Sequence, residues 1–269
     1  MVTFHFYLVL WLEVIHWYIY IVMIYCNSAS FSLEDIQCEV KMDRVYLGTN
    51  KLATVYVVHH DDASYEKARE LAKKSNVYHP IHIPTTRYFE SVIFTPAVFA
   101  LLQLESEYTG FITYKYKTES HNVDIVRIIG ENPGYDLYAL VPHSMKLVDE
   151  PWHPPPFQKN MKLLFSRLGM DVDDVMQAPV FYRNYWVART PIVKAYATFM
   201  TKAIKIIESD PVIKKAFLGN AHYGGGQLKP EFLEQLTGMP YYTMHPFILE
   251  RLICAYTRHR RLRVFYVTQ

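Results

Sequence analysis

The residue types able to do chemistry gather at a few places along the chain. His59, His60, Asp61 and Asp62 stand together directly after a near-continuous apolar run, Lys51 to His60 (KLATVYVVHH). A histidine and two carboxylates in that position suit a divalent cation bridging a nucleotide diphosphate, because Mg²⁺ and Mn²⁺ take one or two carboxylates plus substrate oxygens. The blander reading is that Asp62 or Ser64 caps the helix that follows. Tyr114, Lys115 and Lys117 lie in GFITYKYKT, whose alternation puts the two lysines on one strand face, either neutralising a diphosphate or standing in solvent. Arg183, Asn184 and Trp186 fall within an aromatic run, FYRNYWVA, and Arg87 within TTRYFE. Glu250, with Arg251, interrupts an apolar turn between Phe247 and Tyr256. A carboxylate in such company either pairs with a cation or has its pKa raised, and the raised state suits a catalytic base.

These groups need elements to hold them. The apolar run from Lys51 to His60 has the pattern of a strand buried on both faces, which puts His59 to Asp62 at its carboxyl end, where open α/β sheets bind ligands. A helix follows from Ser64 to about Ser75. Val77 to Pro84 reads as a strand kept from a central position by its prolines. A helix from Pro96 to Glu107, a strand from Gly110 to Thr118, a short amphipathic element from Val123 to Gly130 and a strand from Tyr135 to Pro142 come next. From His143 onward the prolines suggest a loop over the sheet edge, and Met161 to Leu168 reads as a helix ended by Gly169. Val180 to Ala188 reads as one strand that delivers Arg183, Asn184 and Trp186 and turns at Thr190 and Pro191 into a helix reaching Glu208. Its apolar residues recur at three-or-four spacing. Prolines at 96, 191, 211, 230 and 246 open five helices in the same way. The segment GNAHYGGGQ carries His222 on a glycine-rich path that matches no phosphate-binding fingerprint, and His245 precedes the last helix. The expectation is an α/β fold: a single Rossmann-like domain with a mostly parallel sheet flanked by helices.

Composition sets bounds. At 269 residues and 51% apolar, the chain builds a sizeable core and is not disordered. Its 28 basic and 26 acidic residues nearly cancel, which argues against nucleic acid as a partner. The basic tail RHRRLR is equally well explained by a helix C-terminus. Cys26, Cys38 and Cys254 have neither metal-ligand nor redox spacing, so a disulfide framework is not expected and a reducing compartment is favoured. No histidine pair sits at i, i+4 on a helix, so no dedicated zinc site is expected. Thr3 to Cys26 is apolar and about as long as the ~20 residues of a spanning helix. Residues 1–26 read as a signal anchor, a membrane-associated helix, or sequence translated ahead of the start at Met23. Residues 27–50 read as a connector and 51–269 as the working domain, either membrane-associated through the N-terminus or cytoplasmic.

The order of segments resembles small GT-A-type glycosyltransferases, especially bacterial capsular-polysaccharide sugar transferases and related proteins of large algal viruses. The similarity rests on GFITYKYKT, YDLYALVP, FYRNYWVARTPIVKAYATFM and HPFILERLICAY, spanning about residues 52 to 258. The resemblance implies a sugar moved from a UDP- or GDP-type donor to a hydroxyl of a glycan or glycoprotein. On this reading His59, Asp61, Asp62 and Arg87 lie near the nucleotide, Tyr114, Lys115 and Lys117 near the diphosphate, and Arg183, Asn184, Trp186, His222 and His245 near sugar or acceptor. Glu250 and Asp62 are the catalytic candidates. No DxD follows a later strand, so Lys115, Lys117 or Arg87 is expected to supply countercharge in place of Mn²⁺ or Mg²⁺. The alternatives are a non-catalytic carbohydrate-binding protein and a structural virion or membrane-associated protein.

Overall fold

The computed structural model describes residues 41–42, 50–116, 124–151, 153–181, 183–224 and 228–267. The expectations for residues 1–26 and for Lys117 lie outside these. Among the described residues, no helix is long and apolar enough to cross a membrane.

In chain order the strands are β1 (Lys41–Met42), β2 (Ala53–His59), β3 (Tyr78–His82), β4 (Tyr108–Thr113), β5 (Leu137–Ala139), β6 (Pro142–Lys146), β7 (Pro179–Phe181), β8 (Trp186–Arg189) and β9 (Val264–Tyr266). The helices are α1 (Asp62–Ala72), α2 (Pro96–Phe99), α3 (Ile125–Glu131), α4 (Pro155–Arg167), α5 (Val172–Val175), α6 (Thr190–Ser209), α7 (Pro211–Phe217), α8 (Pro230–Thr237) and α9 (Met244–His259). One sheet runs in the order β1-β3-β2-β4-β8-β5-β9, and a two-stranded ribbon joins β6 to β7. Within the sheet β2 pairs in parallel with β3 and β4, and β5 with β9. Only β1 and β8 run against the rest, so the sheet is mostly parallel.

β2 is buried along its whole length, as its unbroken apolar run requires. Alternate residues serve opposite faces of the sheet. Tyr56 and Val58 join the larger core with Trp186, Ala188, Tyr196 and Leu252. Ala53, Val55 and Val57 join the smaller one with Ala68, Leu71, Ile125 and Ile129. Helices α4, α6 and α9 therefore cover one face, and α1 and α3 the other. At Gly110 on β4, a Cβ would lie 2.5 Å from Val187 Cγ2 and 2.8 Å from the Trp186 carbonyl oxygen, so only glycine lets β4 and β8 approach.

Several expectations are corrected. Val180 to Ala188 is not one strand. It divides into β7 and β8, in different sheets, at a turn where Arg183 (φ 67°) and Asn184 (φ 55°) are both left-handed. The helix expected to reach Glu107 stops as the single turn α2, because the Ser106 hydroxyl binds the Asn50 carbonyl and the Glu107 amide donates to Lys51, drawing the chain out toward β4. β4 ends at Thr113, leaving Tyr114 and Lys115 in a turn beyond it. The expected loop after His143 contains β6, which has β7 as a partner. Residues 41–42 of the expected connector pair with Ile81 and His82. Pro246 lies inside α9 and not at its opening, while Pro155 opens α4.

Candidate functional site

Strand β2 ends by delivering His60 to the carboxyl edge of the sheet. The Ser64 hydroxyl accepts from both the His60 and Asp61 amides at 3.0 Å, which fixes the chain as it leaves the strand. The His60 Nδ1 lies 2.7 Å from the carbonyl oxygen of Ile83, just past β3. A carbonyl only accepts, so Nδ1 carries the proton. Nε2 faces the Glu90 carboxylate at 3.6 Å. Burial works to lower the His60 pKa, but Glu90 and the Ile83 carbonyl outweigh it and hold it above 6.5. Burial likewise works to raise Glu90, and there His60, with Lys115 adding to it, holds the carboxyl below 4.5. Each thus favours the charged form of the other.

Beyond β4, the Tyr114 ring stands 6.5 Å edge-on to His60. Two ammonium groups flank that ring, Lys115 at 5.6 Å and Lys67 of α1 at 5.5 Å. His60, Lys67 and Lys115 thus give this lip of the sheet a positive character.

Helix α9 carries the second group. Glu250 is one-fifth exposed, and one of its oxygens accepts the Arg183 amide, holding the left-handed turn between β7 and β8. Its second oxygen lies 3.4 Å from Arg251 Nη1, a loose contact. Burial raises the Glu250 pKa, opposed by Arg251 and the Arg183 amide and reinforced by the charges of Glu90 and Glu150. Glu90 is therefore close enough to act on Glu250 across the crevice. Arg251 is itself 4% exposed and engages both oxygens of the fully buried Glu150. His143 sits near Arg183: burial lowers its pKa, and the Arg183 charge adds to that.

Lys115, Arg183 and Glu250 are thus linked through Glu90, whose carboxylate faces His60, feels the Lys115 charge and acts in turn on Glu250, which accepts the Arg183 amide. Glu90 is a residue the sequence reading passed over, and His60 one it grouped at this strand end without giving it a role. Tyr114 stands beside His60. Asn184, in the turn itself, is 6% exposed, and its Oδ1 has no hydrogen-bond partner.

Other expected residues fall elsewhere. Asp61 is the N-cap of α1, accepting the Ser64 amide at 2.7 Å, and those hydrogen bonds lower its pKa. Asp62 is exposed on the first turn of α1. His59 is 6% exposed, its ring 5.1 Å from Tyr65 and 5.3 Å from His82. Trp186 is 0% exposed, stacked 5.9 Å from Phe94 in the core, with no face left for a ligand. Arg87 and His245 line a cavity of about 80 Å³ with Glu208 and Lys214, and none of the crevice residues lines it. His222 is exposed in the loop before α8.

Among the described residues no group of three His, Cys, Asp or Glu side chains is placed to hold a metal, and the Asp61 carboxylate is engaged in its cap.

No family model matches the chain, and no curated protein does. Among solved structures it is similar to an apo structure of the bifunctional glycosyltransferase WbbM, with 13% identity and a TM-score of 0.45 over 80% of this chain. The chain spans 44% of the length of that protein.

Proposed function

We propose that the chain is a glycosyltransferase moving a sugar from a nucleotide-sugar donor to a hydroxyl of a glycan or glycoprotein. The observation that supports this reading is the chain of polar groups around Glu90: its carboxylate faces His60 Nε2 at 3.6 Å, beside the Tyr114 ring and the Lys115 and Lys67 ammonium groups that flank it, and its charge acts on Glu250, which the Arg183 amide anchors.

Each end of that series of groups suits one half of the reaction. The bond from the anomeric carbon to the diphosphate oxygen breaks, and its electron pair leaves on the diphosphate. Fixed positive groups aimed at that developing charge stabilise it without reorganisation. The acceptor hydroxyl oxygen forms the new bond to the anomeric carbon, and its proton passes to Glu250. A carboxylate anchored through one oxygen by the Arg183 amide and loosely held at the other is oriented yet able to take a proton. Glu90 favours the charged form of His60 and, through its own charge, adds to the rise in the Glu250 pKa that burial causes. His59, Asp62 and Arg87 have no part in this scheme.

The test uses the full chain and a panel of UDP- and GDP-sugars. A donor that binds only the native state raises the unfolding temperature, and does so further as its concentration rises above its Kd. We expect at least one donor to stabilise the protein and to release nucleoside diphosphate with turnover. Neither stabilisation nor turnover with any donor overturns the reading.

A further inference from the structure

An aromatic shelf runs from one carboxylate of the crevice to the other. It starts at Phe89, next to Glu90, whose ring stacks on Tyr242 at 6.0 Å and 26°. Tyr223 stands 5.3 Å from Tyr242 and 4.9 Å from Phe247. His153 closes the far side, 4.8 Å from Phe247. Phe247 lies one turn before Glu250 on α9, and residues three and four apart share a helix face. Arg251 Nη1 donates to the Phe247 carbonyl at 2.8 Å, so shelf and crevice have a residue in common.

The shelf is built, not incidental. The chain at Asn220 bridges to Thr243, and the Ala221 amide donates to the Tyr242 carbonyl at 2.8 Å, which sets Tyr223 beside Tyr242. The Tyr242 hydroxyl accepts the Leu228 amide at 3.1 Å. Two non-glycine residues in left-handed conformation flank it, Phe89 (φ 47°) and His222 (φ 51°). Such a backbone is costly for a bulky residue and persists where the surroundings over-determine it, as at ligand clamps. Tyr223 nevertheless remains 46% exposed, and Phe89, Tyr242 and Phe247 are half-buried.

We infer that this shelf binds a neutral sugar ring of the acceptor glycan. Aromatic faces take the apolar C–H face of a pyranose, and a carboxylate at each end accepts from its hydroxyls. The inference rests on the transfer reaction proposed above only for the word acceptor; carbohydrate binding can be read independently of turnover.

The probes are soluble tetraoses of the cello, chito, malto and manno series, with binding to the full chain read by saturation-transfer NMR, and UDP and GDP as controls. We expect at least one tetraose to bind. Tyr223→Ala should weaken it about tenfold, Tyr223→Trp should retain it, and UDP or GDP binding should be unchanged. Because Tyr223 is half exposed, its truncation leaves the fold intact, which the unfolding midpoint checks. Binding of no tetraose, or binding indifferent to Tyr223→Ala, overturns the inference. Tetraose binding that depends on Tyr223 in a protein that turns over no donor leaves the inference standing and removes the transfer reaction. Turnover without such dependence does the reverse.

Discussion

Two polar clusters in this molecule use the same residue types to opposite ends. In the cavity beneath α6 and α7, Glu208 receives the Tyr88 hydroxyl, Arg87 at 3.1 Å and Lys214 at 3.1 Å. Burial alone would raise its pKa, but these partners bring it down. Burial holds His245 at about 4, so it stays neutral. Charges there are matched locally. In the crevice Glu90 and Glu250 lie within each other's influence, and their pKa values are pushed apart, one down by a histidine and the other up by burial and by its neighbour. Carboxyl groups separated in this way divide proton work between them, whereas a fully matched network only holds structure. Two cations and a carboxylate in a cavity are thus poor evidence of a site unless one of them is left out of balance.

The sharpest way to break this contrast lies at its structural margin. Arg251→Met leaves the buried Glu150 carboxylate without its partner and should cost about 3–5 kcal/mol in urea unfolding. A loss below about 1 kcal/mol would mean that the pair is solvated and the crevice floor softer than argued. Next comes the matched cavity: Arg87→Met should lower stability by about 1 kcal/mol, as expected for a partly exposed pair, and leave nucleotide affinity unchanged. Reduced UDP or GDP binding in that variant would return Arg87 to the donor site. Asp61→Ala should also cost about 1 kcal/mol, the value of a helix N-cap, with no effect on donor binding. An altered donor affinity would show that its carboxylate does more than cap α1.

The smallest effect is in pH. The raised pKa of His60 means that its stabilisation is present below 6.5 and is lost as pH climbs through its higher folded value. The lowered pKa of Glu90 means the converse: its stabilisation is present above 4.5 and fades as pH falls through its folded value. Glu250 has the opposite sign to Glu90, since ionising a carboxyl whose folded pKa is raised costs stability above 4.5. Unfolding of the wild type should therefore ease as pH rises past the His60 titration. In His60→Gln that step should disappear, and its persistence would place the titration elsewhere.

Much of the scaffold was legible in residue order. A short, unbroken run rich in β-branched residues reads as a doubly covered strand, and β2 is one. Prolines at 96, 191, 211 and 230 do stand at helix openings, where a missing amide hydrogen has no cost. The site was legible by neighbourhood only. Lys115, Arg183 and Glu250 were singled out from their company along the chain, but which groups face one another depends on how β3 and α9 cross the sheet edge. His60 stood in the same group as His59 but was given no role, because strand alternation alone does not say which of two adjacent histidines faces the edge; the answer lies in the Ile83 carbonyl. Glu90 looked like part of a lead-in to a helix. The turn at Arg183 and Asn184 was hidden because its aromatic and β-branched flanks read as one strand, and only Asn184 is a residue that tolerates the left-handed region well. Trp186 illustrates the converse error: an aromatic suited to sugar stacking was spent on the core.

The most direct measurement is nucleoside diphosphate release from the donor that stabilises the wild-type protein, compared between wild type and Glu250→Gln at matched folded fraction. Loss of a general base should lower turnover by about 10²-fold or more, with UDP or GDP affinity unchanged. Wild-type turnover in that variant would contradict the assignment of the sheet-edge crevice as the reactive centre.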